Sequence, residues 1–383
     1  MSRNLSQDEL FRYSRHLMLP EVGLAGQEKL KRSSALIVGT GGLGSPISLY
    51  LAAAGVGRLG LVDYDKVEIS NLQRQIVHTT STLGVAKVES AKRHLSDLNP
   101  TIEVIPFNTV LTSHNIDEIA GSFDVIVDGT DNLTTRYLLN DYAGLHNKPY
   151  VYGSIFRFEG QVSVFDVRKG ACYRCLFPES PPPELLPPCS DAGVMGILPG
   201  IVGCMEANET IKLLLGIGEP LINRMVLFDA LEMRFTEICL KKNPSCPLCG
   251  EHPAIQNLVD YEQFCGAPYQ RTNQQESFSN NISPKELSEL LKEKKDILLI
   301  DVRNTVEHQV SSLSGAIAIP LEMLSSQIQD ISHDKPIVVF CRTGVRSQTA
   351  VGLMQKAGFT NVRSLQGGIN AWVRQVDPSM SQY

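Results

Sequence analysis

Three groups of residues carry the chemistry of this chain. The first is a pair of cysteine pairs, Cys172-x-x-Cys175 and Cys246-x-x-Cys249. Two thiolates from each tight turn complete a tetrahedral S₄ site for Zn²⁺. Such a site has no open position, so the expected role is structural, with redox-active CxxC chemistry as the alternative. The second group begins with VGTGGLGS, Val38 to Ser45, which places Gly39, Gly41, Gly42 and Gly44 in a turn suited to phosphate. Then comes VDYDKVEISNLQRQ, with Asp63 and Asp65 followed by Asn71, Arg74 and Gln75. A dinucleotide site needs the glycines and one acid for the ribose. An arginine and two amides beyond that acid suit a triphosphate. Arg74 and Lys87 can neutralise phosphate oxygens while pyrophosphate is displaced, and Asp131, with Asn132 beside it, can hold Mg²⁺. The third group is CRTGVRS: Cys341 directly after PIVVF, then Arg342, Thr343, Gly344, Val345 and Arg346. A cysteine entering a loop that leads into a helix meets backbone N–H groups and the helix dipole. The two arginines add charge that favours a thiolate. Arg346 follows Cys341 at the spacing C-x₄-R.

These groups need elements to position them. Ser6 and Glu9 form a capping-box pattern that opens a first helix, with Leu10, Tyr13 and Leu17 on one face. Strands are expected at 35–38, 59–62 and 124–128, with helices at 46–54 and 85–98 between them. The alternation predicts an α/β fold with a mostly parallel, doubly wound Rossmann-like sheet, whose ligands sit beyond the carboxyl ends of the strands. Further strands are expected at 151–155, 161–167, 225–228 and 234–240, and a long helix at 199–215. Cys204 and Cys239 read as core residues. Glu179 to Asp191 is proline-rich and reads as an exposed loop. Its Cys189 is as easily an incidental thiol as a nucleophile. Residues 266–282 are polar and read as a linker between a domain at 1–265 and a small α/β domain at 283–383. Ser283 and Glu286 open a helix there, and ILLIDVR (297–303) and PIVVF (336–340) are buried strands.

The net charge of −6 argues against nucleic-acid binding. The uncharged run from Ser33 to Gly57 is broken by glycines and Pro46, so no membrane span is expected. The polar N-terminal residues do not read as a signal peptide, and the expected location is cytoplasmic.

GTGGLG, DYDKVEISNLQRQ, GTDN and the paired CxxC motifs together resemble the E1-like adenylating family of MoeB and ThiF type, over about Leu5 to Gly266. The resemblance implies ATP contacts from Gly42, Asp63, Ser70, Asn71, Leu72, Gln73, Arg74, Lys87, Asp131 and Asn132. It implies as partner a ubiquitin-like sulfur carrier protein with a C-terminal Gly-Gly, whose terminal carboxylate attacks the α-phosphate. It also implies a homodimer in which an N-terminal arginine, here Arg15, reaches the partner's site. The segment CSDAGVMG is similar to the family loop whose cysteine can bond the carrier covalently, which raises Cys189 as a candidate. DVR at 301–303, CRTGVRS and GGINAW resemble a rhodanese domain over about Ile282 to Val376, with Cys341 carrying a persulfide. The whole chain then resembles a MoeB–rhodanese fusion, with a persulfide donor such as a cysteine desulfurase as a second partner. Two other classes compete: an NAD-dependent oxidoreductase with a sulfur domain attached, and a non-catalytic docking module for a ubiquitin-like protein.

Overall fold

The structure is a computed structural model, and it describes residues 4–180, 193–265, 280–293 and 295–381. The chain divides into two compact units, Met1–Tyr269 and Gln270–Tyr383.

The first unit opens with α1 (Gln7–Arg12), α2 (Ser14–Leu17) and α3 (Gly23–Arg32). The Ser6–Glu9 capping box forms as expected, Ser6 Oγ accepting from Glu9 N–H at 3.2 Å. The single helix read over this segment instead breaks at Tyr13, whose ring is buried and whose hydroxyl meets Asn99 and Thr101. The order continues β1 (Ser34–Val38), α4 (Gly44–Ala54), β2 (Arg58–Val62), α5 (Lys87–Leu98), β3 (Glu103–Phe107), α6 (Ile116–Ala120), β4 (Val125–Asp128) and α7 (Leu133–Leu145). Then come β5 (Tyr150–Phe156), β6 (Glu159–Phe165), α8 (Tyr173–Leu176), α9 (Leu198–Leu215), β7 (Arg224–Asp229), β8 (Arg234–Cys239) and α10 (Tyr261–Phe264).

These strands form one eight-stranded sheet in the order β3-β2-β1-β4-β5-β6-β7-β8. The first five run parallel and the last three antiparallel. Every residue of β1 is buried, because a parallel sheet is covered on both faces and its central strand reads as a continuous apolar run. Carboxyl ends of β1, β2 and β4 therefore converge on one edge, where Gly39, Asp63 and Gly129 begin their loops. The edge strand β8 is exposed along its length, so Cys239, expected in the core, lies at the surface.

The second unit holds β9 (Asn281–Ile282), α11 (Pro284–Lys292), β10 (Leu298–Asp301), α12 (Thr305–Val310), β11 (Ile317–Ala318), α13 (Leu321–Gln327), β12 (Ile337–Phe340), α14 (Val345–Lys356), β13 (Val362–Leu365) and α15 (Gly368–Gln375). Its parallel sheet runs β11-β10-β12-β13-β9. Asn281 and Ile282, read as the end of the linker, pair with Ser364 and Leu365 as an edge strand, and the linker's 266–279 lie outside the described residues. Ser283 caps α11 by accepting from Glu286 N–H. Among the described residues, no helix is long and apolar enough to cross a membrane.

Candidate active sites and metal site

The glycine turn is shaped by close backbone approach. Gly39 has φ +89°, and a Cβ on Gly44 would stand 1.9 Å from the Gly39 carbonyl oxygen. A Cβ on Gly129, at the end of β4, would stand 2.5 Å from the same oxygen. Only glycine tolerates these contacts. The turn brings the start of α4 to the mouth of a cavity of about 280 Å³.

Gly39, Gly41, Gly42, Asp63, Asp65, Asn71, Arg74, Gln75, Lys87, Asp131 and Asn132 all line that cavity. Gly44 lies beneath the turn, and Ser70, Leu72 and Gln73 do not line the cavity. The carbonyl of Ser70 instead accepts from Arg74 Nη1 at 3.1 Å, and Gln73 packs where a Cβ on Gly196 would fall. Lys87 is buried at the start of α5 and holds Asp65 at 3.0 Å. Asp131 is exposed at the cavity, while Asn132 Oδ1 caps α7 by accepting from Thr135 N–H at 2.8 Å. Two cations, Arg74 and Lys87, thus face three carboxylates, Asp63, Asp65 and Asp131.

Arg15 is not in this cavity. It sits exposed on α2, and Arg12 before it donates to the Leu98 carbonyl at 2.9 Å. Leu98 ends the helix that Lys87 begins, so the two ends are about 17 Å apart at 1.5 Å per residue. Cys189 lies outside the described residues.

The motifs did not point to several groups at the base of the site. Thr40 is fully buried and donates both its N–H and its hydroxyl to Asp63. His78 lies under the turn, its Nε2 2.9 Å from the Thr40 carbonyl and its Nδ1 2.9 Å from Ser90 Oγ. Burial lowers its pKa. Asp128 is held by the Thr130 N–H and hydroxyl and by Tyr150 at 2.6 Å, with Arg136 Nε 3.7 Å away. Glu206 on α9 is fully buried, and neither carboxylate oxygen finds a hydrogen-bond partner among the described residues. A Cβ on Gly153 would stand 2.2 Å from its carboxyl carbon, so that glycine makes its space. Burial pushes the pKa of Asp128 up and that of Glu206 well up. A glutamate inside the apolar run LPGIVGCMEANETIKLLL was the available signal.

The four cysteines meet as expected. Cys172, Cys175, Cys246 and Cys249 bring their sulfurs within 4.8 Å of one another, although the pairs are 74 positions apart. Four of the six Sγ–Sγ separations are 3.4–3.9 Å. A zinc ion with Zn–S bonds of about 2.3 Å has a tetrahedral edge of about 3.8 Å, so the donor set fits that ion.

In the second unit, Cys341 is buried at the end of β12 and accepts from Gly344 N–H at 3.1 Å. Gly344, at φ +101°, opens α14. The GGINAW segment braces the loop from the other side: Ile369 N–H donates to the Cys341 carbonyl at 2.8 Å, and a Cβ on Gly368 would stand 2.4 Å from that oxygen. Thr343 and Val345 are exposed and Arg342 is half-buried. The Arg346 guanidinium makes a two-point pair with Glu307, each bond 2.7 Å. DVR is structural: Arg303 and Asp301 are fully buried and paired, and Arg303 also donates to the Ser311 carbonyl. His308 Nδ1 contacts Asp301 at 2.9 Å, a His–Asp pair that the sequence did not suggest.

Residues 13–248 match the ThiF family and residues 283–375 match the rhodanese-like domain. The probable adenylyltransferase/sulfurtransferase MoeZ of Mycobacterium tuberculosis is 45% identical, over 99% of this chain and 96% of its own length. Adenylyltransferase and sulfurtransferase MOCS3-1 of Zea mays is 42% identical (99% and 85%), and MOCS3 of Aedes aegypti is 41% identical (99% and 90%). Among solved structures, E. coli MccB crystallised with ATP superposes with a TM-score of 0.56 at 24% identity, covering 65% of this chain and 76% of that one, a likeness of fold. A glycine turn over a charged cavity, a four-sulfur cage and a cysteine cradle thus fall on one chain, and that chain belongs to the ThiF family, with a rhodanese-like domain following.

Proposed function

We propose that this protein adenylates the C-terminal glycine of a ubiquitin-like sulfur carrier and converts it to a thiocarboxylate. The chain is an adenylyltransferase and a sulfurtransferase. In the first unit, the carrier's terminal carboxylate oxygen attacks the α-phosphorus of ATP. Pyrophosphate leaves with the electron pair of the broken P–O bond. The carboxylate is already ionised at neutral pH, so no general base is required. Arg74 and Lys87 orient the triphosphate and offset charge on the departing group. Lys87 reaches the phosphates from its pair with Asp65.

The cavity's own charges support two further contributions. Two cations against three carboxylates do not balance a triphosphate. Asp131, exposed at the cavity without an ion pair among the described residues, would hold Mg²⁺, which supplies the missing positive charge on the phosphates. Arg15, remote from its own chain's cavity, completes the site of the second chain in a homodimer. Cys172, Cys175, Cys246 and Cys249 would hold Zn²⁺, which staples the strand ends of the first unit.

In the second unit, Cys341 accepts sulfur from a persulfide donor such as a cysteine desulfurase. Its terminal sulfur attacks the acyl carbon, and AMP leaves. A second thiol, with Cys189 as candidate, attacks the Cys341 sulfur, and the thiocarboxylate departs. The disulfide so formed returns to two thiols at the expense of an external dithiol.

The observation that carries this reading is the convergence of Asp63, Arg74, Lys87 and Asp131 on one glycine-turned cavity. ATP–pyrophosphate exchange in the presence of a Gly-Gly-ended ubiquitin-like protein tests it. Asp131→Ala abolishes the exchange and spares thiosulfate sulfurtransfer. Cys341→Ala does the reverse. Loss of both activities in either folded variant contradicts the division of labour.

A further inference from the structure

Asp63 enters the cavity with most of its hydrogen-bonding capacity already used. Its Oδ2 accepts twice from Thr40, from the N–H at 2.9 Å and from the hydroxyl at 3.0 Å. Its Oδ1 accepts from Asp65 N–H at 2.9 Å. An ionised carboxylate offers about four acceptor sites. Three are filled, and the remaining one is on Oδ1. Thr40 cannot drift away to free Oδ2. It is fully buried, and its carbonyl is anchored by His78.

We propose that Thr40 is a positioning residue that makes Asp63 hold a single ribose hydroxyl of the nucleotide. This rests on the reading of the cavity as an ATP site. A ribose presents two neighbouring hydroxyls. A carboxylate with both oxygens open binds them as a pair, one on each oxygen. With Oδ2 saturated by Thr40, only one hydroxyl finds an acceptor, and the other faces away from the carboxylate. The site therefore reads one hydroxyl strongly and the other weakly.

Calorimetric titration of the full chain with ATP, 2′-deoxy-ATP and 3′-deoxy-ATP, each with Mg²⁺, reads this directly. A hydrogen bond to a charged group corresponds to roughly a tenfold or greater change in Kd. The wild type loses about that much with one deoxynucleotide and little with the other. Thr40→Ala removes the hydroxyl and puts no atom in its place, which opens a site on Oδ2. Its two penalties then converge to within about threefold, and Thr40→Ser restores the asymmetry. A purely structural role for Thr40 would scale all three affinities together and leave the asymmetry intact. Equal penalties in the wild type, or an unchanged asymmetry in a folded Thr40→Ala chain, overturn the proposal. Asp63→Asn separates the two levels. If ATP binds and Asp63→Asn erases the asymmetry while Thr40→Ala does not, the role of Thr40 alone is wrong. If wild type binds no ATP, the nucleotide reading fails and the proposal with it.

Discussion

Glu206 shows how a single residue links packing to pH. Its carboxyl is fully buried against Gly153, near the Asp128–Arg136 pair, which leaves two acids to share one guanidinium. Burial raises its pKa well above the ordinary carboxylate value. The folded chain then binds a proton that the unfolded chain releases near the usual carboxylate pKa of about 4.3. Stability from this group is whole below that pH and declines as pH rises toward the folded-state pKa. Glu206→Gln removes the slope. The variant is expected to match wild type near pH 5 and to exceed it at pH 8, with a Tm gap of a few degrees. Parallel Tm curves for the two proteins across that range would show that Glu206 is not held neutral. Asp63, Arg74, Lys87, Asp131 and Cys341 were legible because their chemistry is written in short motifs. Thr40, Glu206 and Glu307 were not, because their importance lies in what long-range folding sets beside them. Glu307, for instance, meets Arg346 from 39 positions away.

Among the elements, the β1–turn–α4 unit carries the tightest constraint. The sequence indicated its strand, turn and helix because β1 is apolar from Ala35 to Val38 and the glycines punctuate the unit. The crossing of three glycine backbones explains why the turn is so glycine-rich. Gly44→Ala places a methyl 1.9 Å from the Gly39 oxygen, so the turn must move. Overpacking of this kind costs about 1–3 kcal/mol. A lower denaturant midpoint together with lost ATP binding is expected. Wild-type ATP affinity in this variant would show that the turn does not shape the site. Strands β9 and β11 escaped the sequence reading because each has only two residues, too short for a period to register, and β3 and β13 did so because Pro106 in one and Arg363 with Ser364 in the other interrupt the apolar run. The antiparallel strands β6 to β8 were located, but not their direction: β5–β6 and β7–β8 are hairpins, whereas β6 and β7 pair antiparallel across a long connection that includes α8 and α9.

At the scale of the molecule, the two units divide an activation step and a sulfur-handling step. The sulfur cage belongs to the first alone, where it joins segments far apart in sequence. Exhaustive chelation should therefore release zinc and lower the unfolding temperature of the first unit, leaving thiosulfate sulfurtransfer by Cys341 in place. An unchanged melting profile after metal removal would argue that the four thiols need no ion. An NAD-dependent oxidoreductase does not require Arg74, Lys87 and Asp131 around the turn, nor a sulfur-carrying loop on the same chain. The central claim is that ATP cleavage and sulfur transfer act on one acyl group. Its most direct test is the intact mass of a Gly-Gly-ended ubiquitin-like protein after incubation with this chain, ATP, Mg²⁺, a dithiol and thiosulfate. The account predicts replacement of one carboxylate oxygen by sulfur, dependent on both Asp131 and Cys341. A carrier of unchanged mass despite active pyrophosphate exchange, or sulfur incorporation without ATP, would contradict it.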